Sequence, residues 1–194
     1  NPMDKIKNEE KPKRRRTERA FLTIDELKIL SQTDFHNATL KKAFLFSCFC
    51  GLRHSDIVAL TWGNLKKGKV GKMELHMTQQ KTQEILSLPL SKEALKQLPV
   101  RGKVPDTEKV FKGLISLGRT NEILPKWAAK AGIQKHITFH SARHTHATMM
   151  ITLGADLYTV SKLLGHTNIQ TTQIYAKIVD ESKEKAIDLI PDIT

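Results

Sequence analysis

Residues 138–175 concentrate side chains that could bind a phosphate or act on one. Three of them are spaced at i, i+3 and i+4, so on a helix they would share one face. A permanent cation beside imidazole groups, with few carboxylates nearby, suits an anion such as phosphate. A tyrosine at the end of the stretch could attack that phosphate as a nucleophile. The five residues are His140, Arg143, His144, His166 and Tyr175.

Whether such a site binds a phosphodiester or cleaves it depends on the groups available for the chemistry. Cleavage uses either divalent metals bound by carboxylates, or positive side chains together with a covalent nucleophile. The stretch contains a single acidic residue, Asp156, which is placed to cap a helix. The composition therefore favours the covalent route, with Tyr175 as the attacking group.

Two arginines could bind the non-bridging oxygens, because a guanidinium is a planar fork that matches them. Arg143 is one of the two. The other, Arg53, follows Gly51 in a turn between two helical segments, where it must be paired or bind an anion. Asp56, three residues later, is the expected partner of Arg53.

Cleavage also needs groups that move protons. His140 and His166 could donate to the phosphate oxygens or carry the proton of the nucleophile. Lys81 lies between two alternating apolar segments and is a surface charge by default. It could protonate a leaving alkoxide if the tip of that hairpin folds towards the site.

A zinc site is the alternative interpretation of the histidines. His136, His140 and His144 are spaced by four residues, and two such histidines on one helix can share a metal. No Glu follows as in a His-Glu-x-x-His pattern, and neither Cys48 nor Cys50 is near in sequence. We therefore expect no metal and no other cofactor.

The periodicity of the apolar residues predicts a mainly α protein with one small antiparallel β-sheet. Residues 69–90 alternate with period two, which predicts a hairpin with Lys81 near its tip. Ser55 is the predicted N-cap of a short helix that ends near Leu60. Helices are predicted at residues 24–31, 38–50, 55–60, 91–98, 120–130, 141–153, 157–164 and 181–189.

Some residues that could suggest other chemistry are interpreted as packing residues. Trp62 and Trp127 are expected in the core, not as base-stacking groups. Tyr158 lies on an apolar helical pattern and is likewise expected in the core. His54 and His146 are expected to be structural or surface residues.

The charge of the chain indicates a polyanionic partner. It has 32 Lys and Arg against 20 Asp and Glu, a net charge of +12, which favours nucleic acid or an anionic membrane surface. The longest apolar run, about ten residues, is too short to span a bilayer, and no signal peptide opens the chain. Cys48 and Cys50 would point apart on a helix, so free, buried thiols in a reducing cytoplasm are expected.

Residues 1–20 are rich in Lys and Arg and have almost no apolar side chains. Such a segment cannot bury enough surface to fold alone, and we interpret it as a linker or tail that also contacts a DNA backbone. Because the chain begins with Asn and not Met, we expect a fragment whose N-terminal part is missing. The expected DNA contacts are Lys11, Lys13, Arg14, Arg15 and Arg16.

Four short motifs follow one another along the chain: Gly51-Leu52-Arg53-x-x-Asp56, Gln80-Lys81-Thr82, Thr138-x-His140-x-x-Arg143-His144, and Leu164-Gly165-His166 followed nine residues later by Tyr175. Each motif alone is weak, but four of them in this order are specific. Together they resemble the catalytic domain of the tyrosine recombinases, the phage-integrase family. The resemblance covers about residues 20–190.

The resemblance implies cleavage and rejoining of DNA without a metal or an energy cofactor. Tyr175 would attack the scissile phosphate, giving a 3′-phosphotyrosyl link and a free 5′-hydroxyl, and a 5′-hydroxyl of another strand would reverse the step. The implied roles are phosphate binding for Arg53, Arg143 and His166, proton transfer for His140, general acid for Lys81, support of Arg53 for Asp56, and a supporting position for His144.

The resemblance also implies a domain arrangement and an assembly. Residues 1–20 would be the linker to an N-terminal core-binding domain, which we expect to be absent from this chain, and residues 21–194 would be the catalytic domain. The helix at 181–189 would pack on a neighbouring subunit, which would give a tetramer on double-stranded DNA. Accessory DNA-bending proteins are further candidate partners. The role would be integration or transposition of a mobile element.

Two other functions remain open. The chain could be a DNA-binding module that keeps the basic fold without chemistry, but such a module would not need Tyr175. It could also be a type IB topoisomerase or a telomere resolvase, which use the same chemistry to relax or seal DNA. The Leu164-Gly165-His166 segment favours the recombinase.

Overall fold

The computed structural model of the chain describes residues 19–68 and 71–175. Within them the protein is mainly α-helical with one small antiparallel sheet, which confirms the predicted fold class. The elements are α1 (Ile24–Gln32), α2 (Ala38–Cys50), α3 (His54–Ala59), β1 (Leu65–Lys67), β2 (Met73–Thr78), β3 (Ile85–Pro89), α4 (Lys92–Lys96), α5 (Leu117–Lys130), α6 (Phe139–Thr152) and α7 (Leu157–Leu163), with short 3₁₀ segments at Trp62–Asn64, Ile169–Thr171 and Gln173–Tyr175.

The first two helices begin and end where their capping residues predict. Thr23 and Glu26 form a reciprocal capping box at the start of α1. The Asn37 side chain accepts a hydrogen bond from the Leu40 N–H at the start of α2, and Gly51 ends α2 in the left-handed conformation. Helix α2 is apolar around most of its circumference because it is the central helix, packed against both α4 and α6.

The sheet has the strand order β1-β2-β3, with both pairs antiparallel. Leu75 of β2 pairs with Leu65 of β1 and with Leu88 of β3, and these three residues are buried. The β2–β3 hairpin was predicted, and its turn carries Lys81. Strand β1 was not predicted, because two of its three residues are exposed lysines, which give no alternating pattern of apolar residues.

Three helix starts differ from the prediction. Helix α5 begins at Leu117, three residues before the predicted start at residue 120, and the Ser116 hydroxyl accepts a hydrogen bond from the Arg119 N–H at 3.4 Å. Ser55 is not an N-cap: α3 begins at His54, because the Arg53 N–H donates to the Asp56 carboxylate at 3.2 Å and Arg53 takes the cap position. Helix α6 begins two residues earlier than predicted, and the Thr138 N–H donates to the Ser141 hydroxyl at 3.0 Å.

The prediction that Tyr158 packs in the core is wrong. Its side chain is 60% exposed, and Lys162 lies over its ring at 5.2 Å from the centroid. Helix α7 is so short that a single stripe, which includes Val160, faces the core. Trp62 and Trp127 are buried as predicted.

Both cysteines are free and buried, as predicted. Burial raises the pKa of both thiols, that of Cys50 to about 12. No helix in the described part of the chain is long and apolar enough to cross a membrane. The predicted DNA contacts at Lys11, Lys13, Arg14, Arg15 and Arg16 and the predicted helix at 181–189 lie outside the described residues.

Gly51 is expected to be among the least replaceable positions of the fold. Its φ is +72°, and a Cβ there would lie 2.8 Å from a Leu164 methyl group and 2.9 Å from the His146 ring. We expect Gly51→Ala to lower the free energy of unfolding by about 3 kcal/mol, from left-handed strain and overpacking together. Urea denaturation would measure the loss.

Gly113→Ala is the matched control for this prediction. Gly113 also has a positive φ, +78°, but a Cβ there would meet no atom within 4 Å. We expect a loss of only about 1 kcal/mol, from backbone strain alone. Equal losses in the two variants would show that the close approach of a Cβ at position 51 to Leu164 and His146 adds nothing to the loss of stability.

Candidate active site

Helix α6 presents three of the predicted site residues together. Arg143 and His144 are buried, at 3% and 4% exposure, whereas His140, in the first turn, is exposed. The rings of His140 and His144 lie perpendicular to each other with centroids 4.6 Å apart. The i, i+3, i+4 spacing therefore brings these side chains onto one face, as predicted.

Tyr175 lies directly against this face. Its hydroxyl and Nδ1 of His144 are joined by a hydrogen bond of 2.6 Å. The tyrosine is 6% exposed and packs with Ile151, Val160 and Leu164 in a small apolar cluster. Burial raises the pKa of Tyr175 to about 12, although the charge of Arg143 opposes the rise. The hydroxyl is therefore protonated at neutral pH.

Arg143 is held by two backbone carbonyls. Its Nη1 donates to the Gly51 carbonyl and its Nη2 to the Leu164 carbonyl, each at 2.7 Å. A guanidinium has five N–H groups, so three remain for another acceptor. Burial, and then the charge of Arg53, lower the pKa of Arg143 to about 10, and the group stays cationic at neutral pH.

Arg53 has a buried donor without a partner. Its Nη1 is inaccessible to solvent and makes no hydrogen bond, and it lies 3.9 Å from a carboxylate oxygen of the fully buried Asp56. The other Asp56 oxygen accepts a hydrogen bond from the Gln80 N–H at 2.8 Å. A buried unpaired N–H is unfavourable unless an acceptor reaches it, and an anion bound at this position would supply one.

Lys81 lies in the turn between β2 and β3 and is exposed. Burial, and then several positive charges that include Arg143 and Lys81, lower the pKa of His140. The turn is itself fixed to α3 through Gln80 and Asp56.

His166 follows Gly165, whose φ is +65°. Its Nδ1 and the Thr172 hydroxyl are joined by a hydrogen bond of 2.8 Å. Burial, and then the charges of Arg143, Arg53 and His140, lower the pKa of His166 to about 4. His166 therefore lies within the same group of positive charges.

Two residues that contact the predicted set were not predicted from the sequence. Thr172 is fully buried against His166, and no sequence pattern marked it. Gln79 is fully buried and its side-chain amide donates to the Leu164 carbonyl at 3.2 Å. It follows Leu75 and Met77 at spacing two, so a polar residue at an inward-facing strand position was the available signal.

The alternative zinc site is not formed by these histidines. Among residues 19–68 and 71–175, no group of three or more His, Cys, Asp or Glu side chains could hold a metal ion. His136 is exposed, and the perpendicular rings of His140 and His144 pack on each other.

His146 was interpreted as a structural or surface residue, and it is structural. It is 3% exposed and neither ring nitrogen has a hydrogen-bond partner. Burial lowers the pKa of His146 to about 4. The backbone of Cys48 lies near the ring and opposes this fall, but its geometry does not satisfy a hydrogen bond. His54 is half-buried, with its Nε2 3.1 Å from the Ile115 carbonyl.

The buried His146 predicts a loss of stability in acid. Its folded pKa lies below the usual 6.5, so the unfolded chain binds more protons between pH 6.5 and about 4, and stability falls as the pH falls through that window. Between pH 7 and pH 5 this group should cost about 2 kcal/mol of unfolding free energy. In His146→Leu, urea denaturation at the two pH values should show a correspondingly smaller loss. An unchanged loss in the variant would refute the assignment to His146.

Comparisons with known proteins identify relatives of this chain. A phage integrase family model matches residues 20–182. A tyrosine recombinase of Pseudothermotoga lettingae is 30% identical over 192 residues, which cover 97% of this chain and 65% of the relative. The tyrosine recombinase XerC of Neisseria meningitidis serogroup C is 33% identical over 135 residues, which cover 66% of this chain and 43% of the relative. The chain thus spans less than two thirds of the length of these relatives.

Two solved structures share the fold. The catalytic domain of bacteriophage HP1 integrase matches with a TM-score of 0.62 and 22% identity, over 89% of this chain and 95% of that one. The Tn1549 transposon integrase, solved in complex with transposon right end DNA, matches with a TM-score of 0.66 and 16% identity, over 95% of this chain and 71% of that one. Since the family model extends over most of the sequence, from residue 20 to residue 182, the chain belongs to the phage integrase family.

Proposed function

We propose that the chain is the catalytic part of a site-specific DNA recombinase that cleaves and rejoins strands through a 3′-phosphotyrosyl intermediate. The observation that carries the proposal is the hydrogen bond between the Tyr175 hydroxyl and His144, next to Arg143 on the same helix. A pure DNA-binding module would have no use for a buried tyrosine hydroxyl that is hydrogen-bonded to a histidine beside a buried arginine. Membership of the phage integrase family supports the same conclusion.

Arg143 and Arg53 would bind the non-bridging oxygens of the scissile phosphate. Arg143 keeps three N–H groups beyond those used by the two carbonyls, and Arg53 has a buried donor without a partner. His166, fixed through its Nδ1 by Thr172, would donate to the same phosphate through its other ring nitrogen. Because these donors are already in position, they would stabilise the negative charge that develops on the phosphate oxygens in the transition state.

The bond changes would then be as follows. The Tyr175 oxygen forms a bond to phosphorus, the bond from phosphorus to the 5′ oxygen breaks, and the 5′ oxygen takes a proton from Lys81. The tyrosine proton passes to His144, whose Nδ1 is 2.6 Å away, and from there through the exposed His140 to solvent. Burial and then the charge of His140 lower the pKa of His144 to about 3, so its Nδ1 is unprotonated and can accept the hydrogen bond of the tyrosine. As a weak base, His144 would hold the proton only in passing, while the bond to phosphorus forms.

The reverse reaction would rejoin the strands. A 5′-hydroxyl of another strand attacks the phosphotyrosyl link and Tyr175 leaves as the phenol. The covalent intermediate conserves the energy of the phosphodiester bond, so the cycle needs no nucleotide cofactor. The residues assigned here also need no metal, because positive side chains take its electrostatic role.

The partner would be double-stranded DNA, supported by the net charge of +12. Residues 1–20 would form the linker and residues 21–194 the catalytic domain, a division supported by the 95% coverage of the HP1 integrase catalytic domain. The helix at 181–189 would join subunits into a tetramer, with accessory DNA-bending proteins as further partners. Two free, buried thiols support action in the reducing cytoplasm.

The biological role would be integration or transposition of a mobile element. The folds of a bacteriophage integrase and of a transposon integrase support this role. The second candidate is the role of XerC-type recombinases at a chromosomal site, which the similarity to XerC of Neisseria meningitidis supports. The two roles differ in the DNA site that is cut and not in the chemistry.

A nicked suicide substrate tests the proposal. The full-length protein is incubated in EDTA with a nicked duplex that carries the end sequence of the element, or with a chromosomal recombination site in parallel, and the products are run on a denaturing gel. A covalent adduct in EDTA supports metal-free tyrosine cleavage. An adduct on the end sequence of the element would support the mobile-element role, and an adduct on the chromosomal site would support the XerC-type role. A gel shift on both duplexes without any adduct would favour the DNA-binding module.

A further inference from the structure

Gln79 is a fully buried polar residue at a position where the sheet would accept an apolar one. It follows β2, and two residues earlier Met77 and four residues earlier Leu75 face the core. A leucine at position 79 would continue this apolar face. Burial of an amide is favourable only when its polar atoms are paired, so the contacts of Gln79 indicate what the amide does.

The side chain of Gln79 joins two separate segments of the site. Its Nε2 donates to the Leu164 carbonyl at 3.2 Å, and its Oε1 accepts a hydrogen bond from the Thr82 hydroxyl at 2.9 Å. The absence of a side chain at Gly165 makes this approach possible, since a Cβ there would lie 2.8 Å from Gln79 Oε1. One end of the amide thus contacts the segment before His166, and the other contacts the turn that carries Lys81.

The Leu164 carbonyl is shared with Arg143. It accepts a hydrogen bond from Arg143 Nη2 at 2.7 Å as well as the one from Gln79. The next residue of the turn, Gln80, donates its N–H to the buried carboxylate of Asp56. The turn that carries Lys81 is therefore hydrogen-bonded at two points. Gln80 joins it to Asp56, the partner of Arg53, and Gln79 joins it to the Leu164 carbonyl, which also orients Arg143.

We infer that Gln79 is a positioning residue that sets the location of Lys81 relative to the phosphate-binding groups Arg143 and His166. The inference rests on the proposed function and adds a residue to it. Lys81 is exposed on a turn, and a lysine has a long stem with several rotatable bonds, so its distance from a leaving oxygen depends on where that turn is held. A displacement of about 1 Å can lower a rate by about 10²-fold.

The test compares two forms of one nicked duplex in the suicide assay with the full-length protein. The cleavage position is first mapped from wild-type adducts. One form then carries the ordinary 5′ oxygen at the scissile phosphate and the other a bridging 5′ sulfur. A thiolate leaves without protonation, so a defect that acts through the general acid disappears on the sulfur substrate. A defect in phosphate binding or folding affects both substrates alike.

We expect Gln79→Leu to form adduct roughly 10- to 100-fold more slowly than wild type on the oxygen substrate. On the sulfur substrate its rate should lie within a few-fold of wild type, as for Lys81→Ala. Thr82→Val removes only the hydrogen bond to Oε1 and should show a smaller defect with the same rescue. It serves as the second variant if Gln79→Leu fails to fold. Leu88→Ala, a core truncation away from the turn, is the stability control and should show no preference between the substrates.

Equal slowing of Gln79→Leu and Thr82→Val on both substrates would overturn the inference, because the amide would then act through the phosphate-binding groups or the fold. Wild-type rates for both variants on the oxygen substrate would also overturn it. Failure of the proposed function looks different, since wild type itself would then give no adduct on either duplex.

Discussion

Replacement of Tyr175 by Phe should abolish the covalent attachment of the protein to DNA. The variant keeps the ring, and with it the packing against Val160 and Leu164, but it lacks the oxygen that would bond to phosphorus. Loss of a covalent nucleophile lowers the rate by roughly 10⁶-fold, so adduct on a nicked duplex should fall below detection. DNA affinity, measured by gel shift, should stay nearly unchanged because no charge is removed.

The same substitution should have a measurable but small effect on folding. It removes the 2.6 Å hydrogen bond to His144 and leaves the buried Nδ1 without a partner. We expect the free energy of unfolding to fall by about 1–2 kcal/mol. The protein should thus remain folded and able to bind DNA while it loses all attachment.

Tyr158→Phe is the matched control, because Tyr158 is the other of the two tyrosines in the chain. It is 60% exposed on α7, and Lys162 lies over its ring. Attachment and stability should both match wild type. If Tyr175→Phe also lost DNA binding, Tyr175 would be a structural residue and the proposed mechanism would be wrong.

Much of the fold was predictable because its signals are local. The capping residues Thr23 and Asn37 and the left-handed Gly51 set helix boundaries through interactions within a few residues, so α1 and α2 begin where the sequence predicts. Strand β1 was missed because its three residues belong to the sheet only through pairing with β2. Tyr158 was misassigned because periodicity does not indicate which of two apolar stripes on a short helix meets the core.

The site was predictable in its composition and less so in its connections. The spacing of His140, Arg143 and His144 on one face follows from helix geometry alone. The sequence does not indicate that Arg143 donates two of its N–H groups to the carbonyls of Gly51 and Leu164, since these hydrogen bonds join residues 92 and 21 positions apart. Such contacts appear only when the segments have packed.

These connections change what a substitution at Arg143 should do. From the sequence, Arg143 is a phosphate-binding group and its loss affects chemistry. In the structure the same guanidinium also satisfies two buried carbonyls, one at the end of α2 and one at the end of α7. The side chain therefore stabilises the packing of both helices against α6, and its removal should affect folding as well.

Arg143→Ala should abolish covalent attachment and destabilise the protein at the same time. Loss of a guanidinium that binds a transferring phosphate lowers the rate by about 10³-fold or more. The Gly51 carbonyl would lose its charged donor, and the Leu164 carbonyl would keep only Gln79, which should lower the free energy of unfolding by about 2–4 kcal/mol. Adduct formation and urea denaturation would measure the two effects.

DNA affinity should fall only slightly in Arg143→Ala, because the variant loses one phosphate contact among several. The slope of log affinity against log salt should change by about one. Arg119→Ala is the matched control, since it also removes one positive charge, but from an exposed side chain paired with Glu122. It should keep both attachment and stability.

Arg143→Lys separates the charge from the geometry. A lysine keeps the positive charge, but it has no planar fork, so it cannot donate to the Gly51 and Leu164 carbonyls and bind a phosphate at once. We expect Arg143→Lys to bind DNA as wild type does and to form adduct at least 10²-fold more slowly. Wild-type adduct formation by Arg143→Lys would show that a positive charge alone is sufficient at position 143, and that the fork held by the two carbonyls has no part in cleavage.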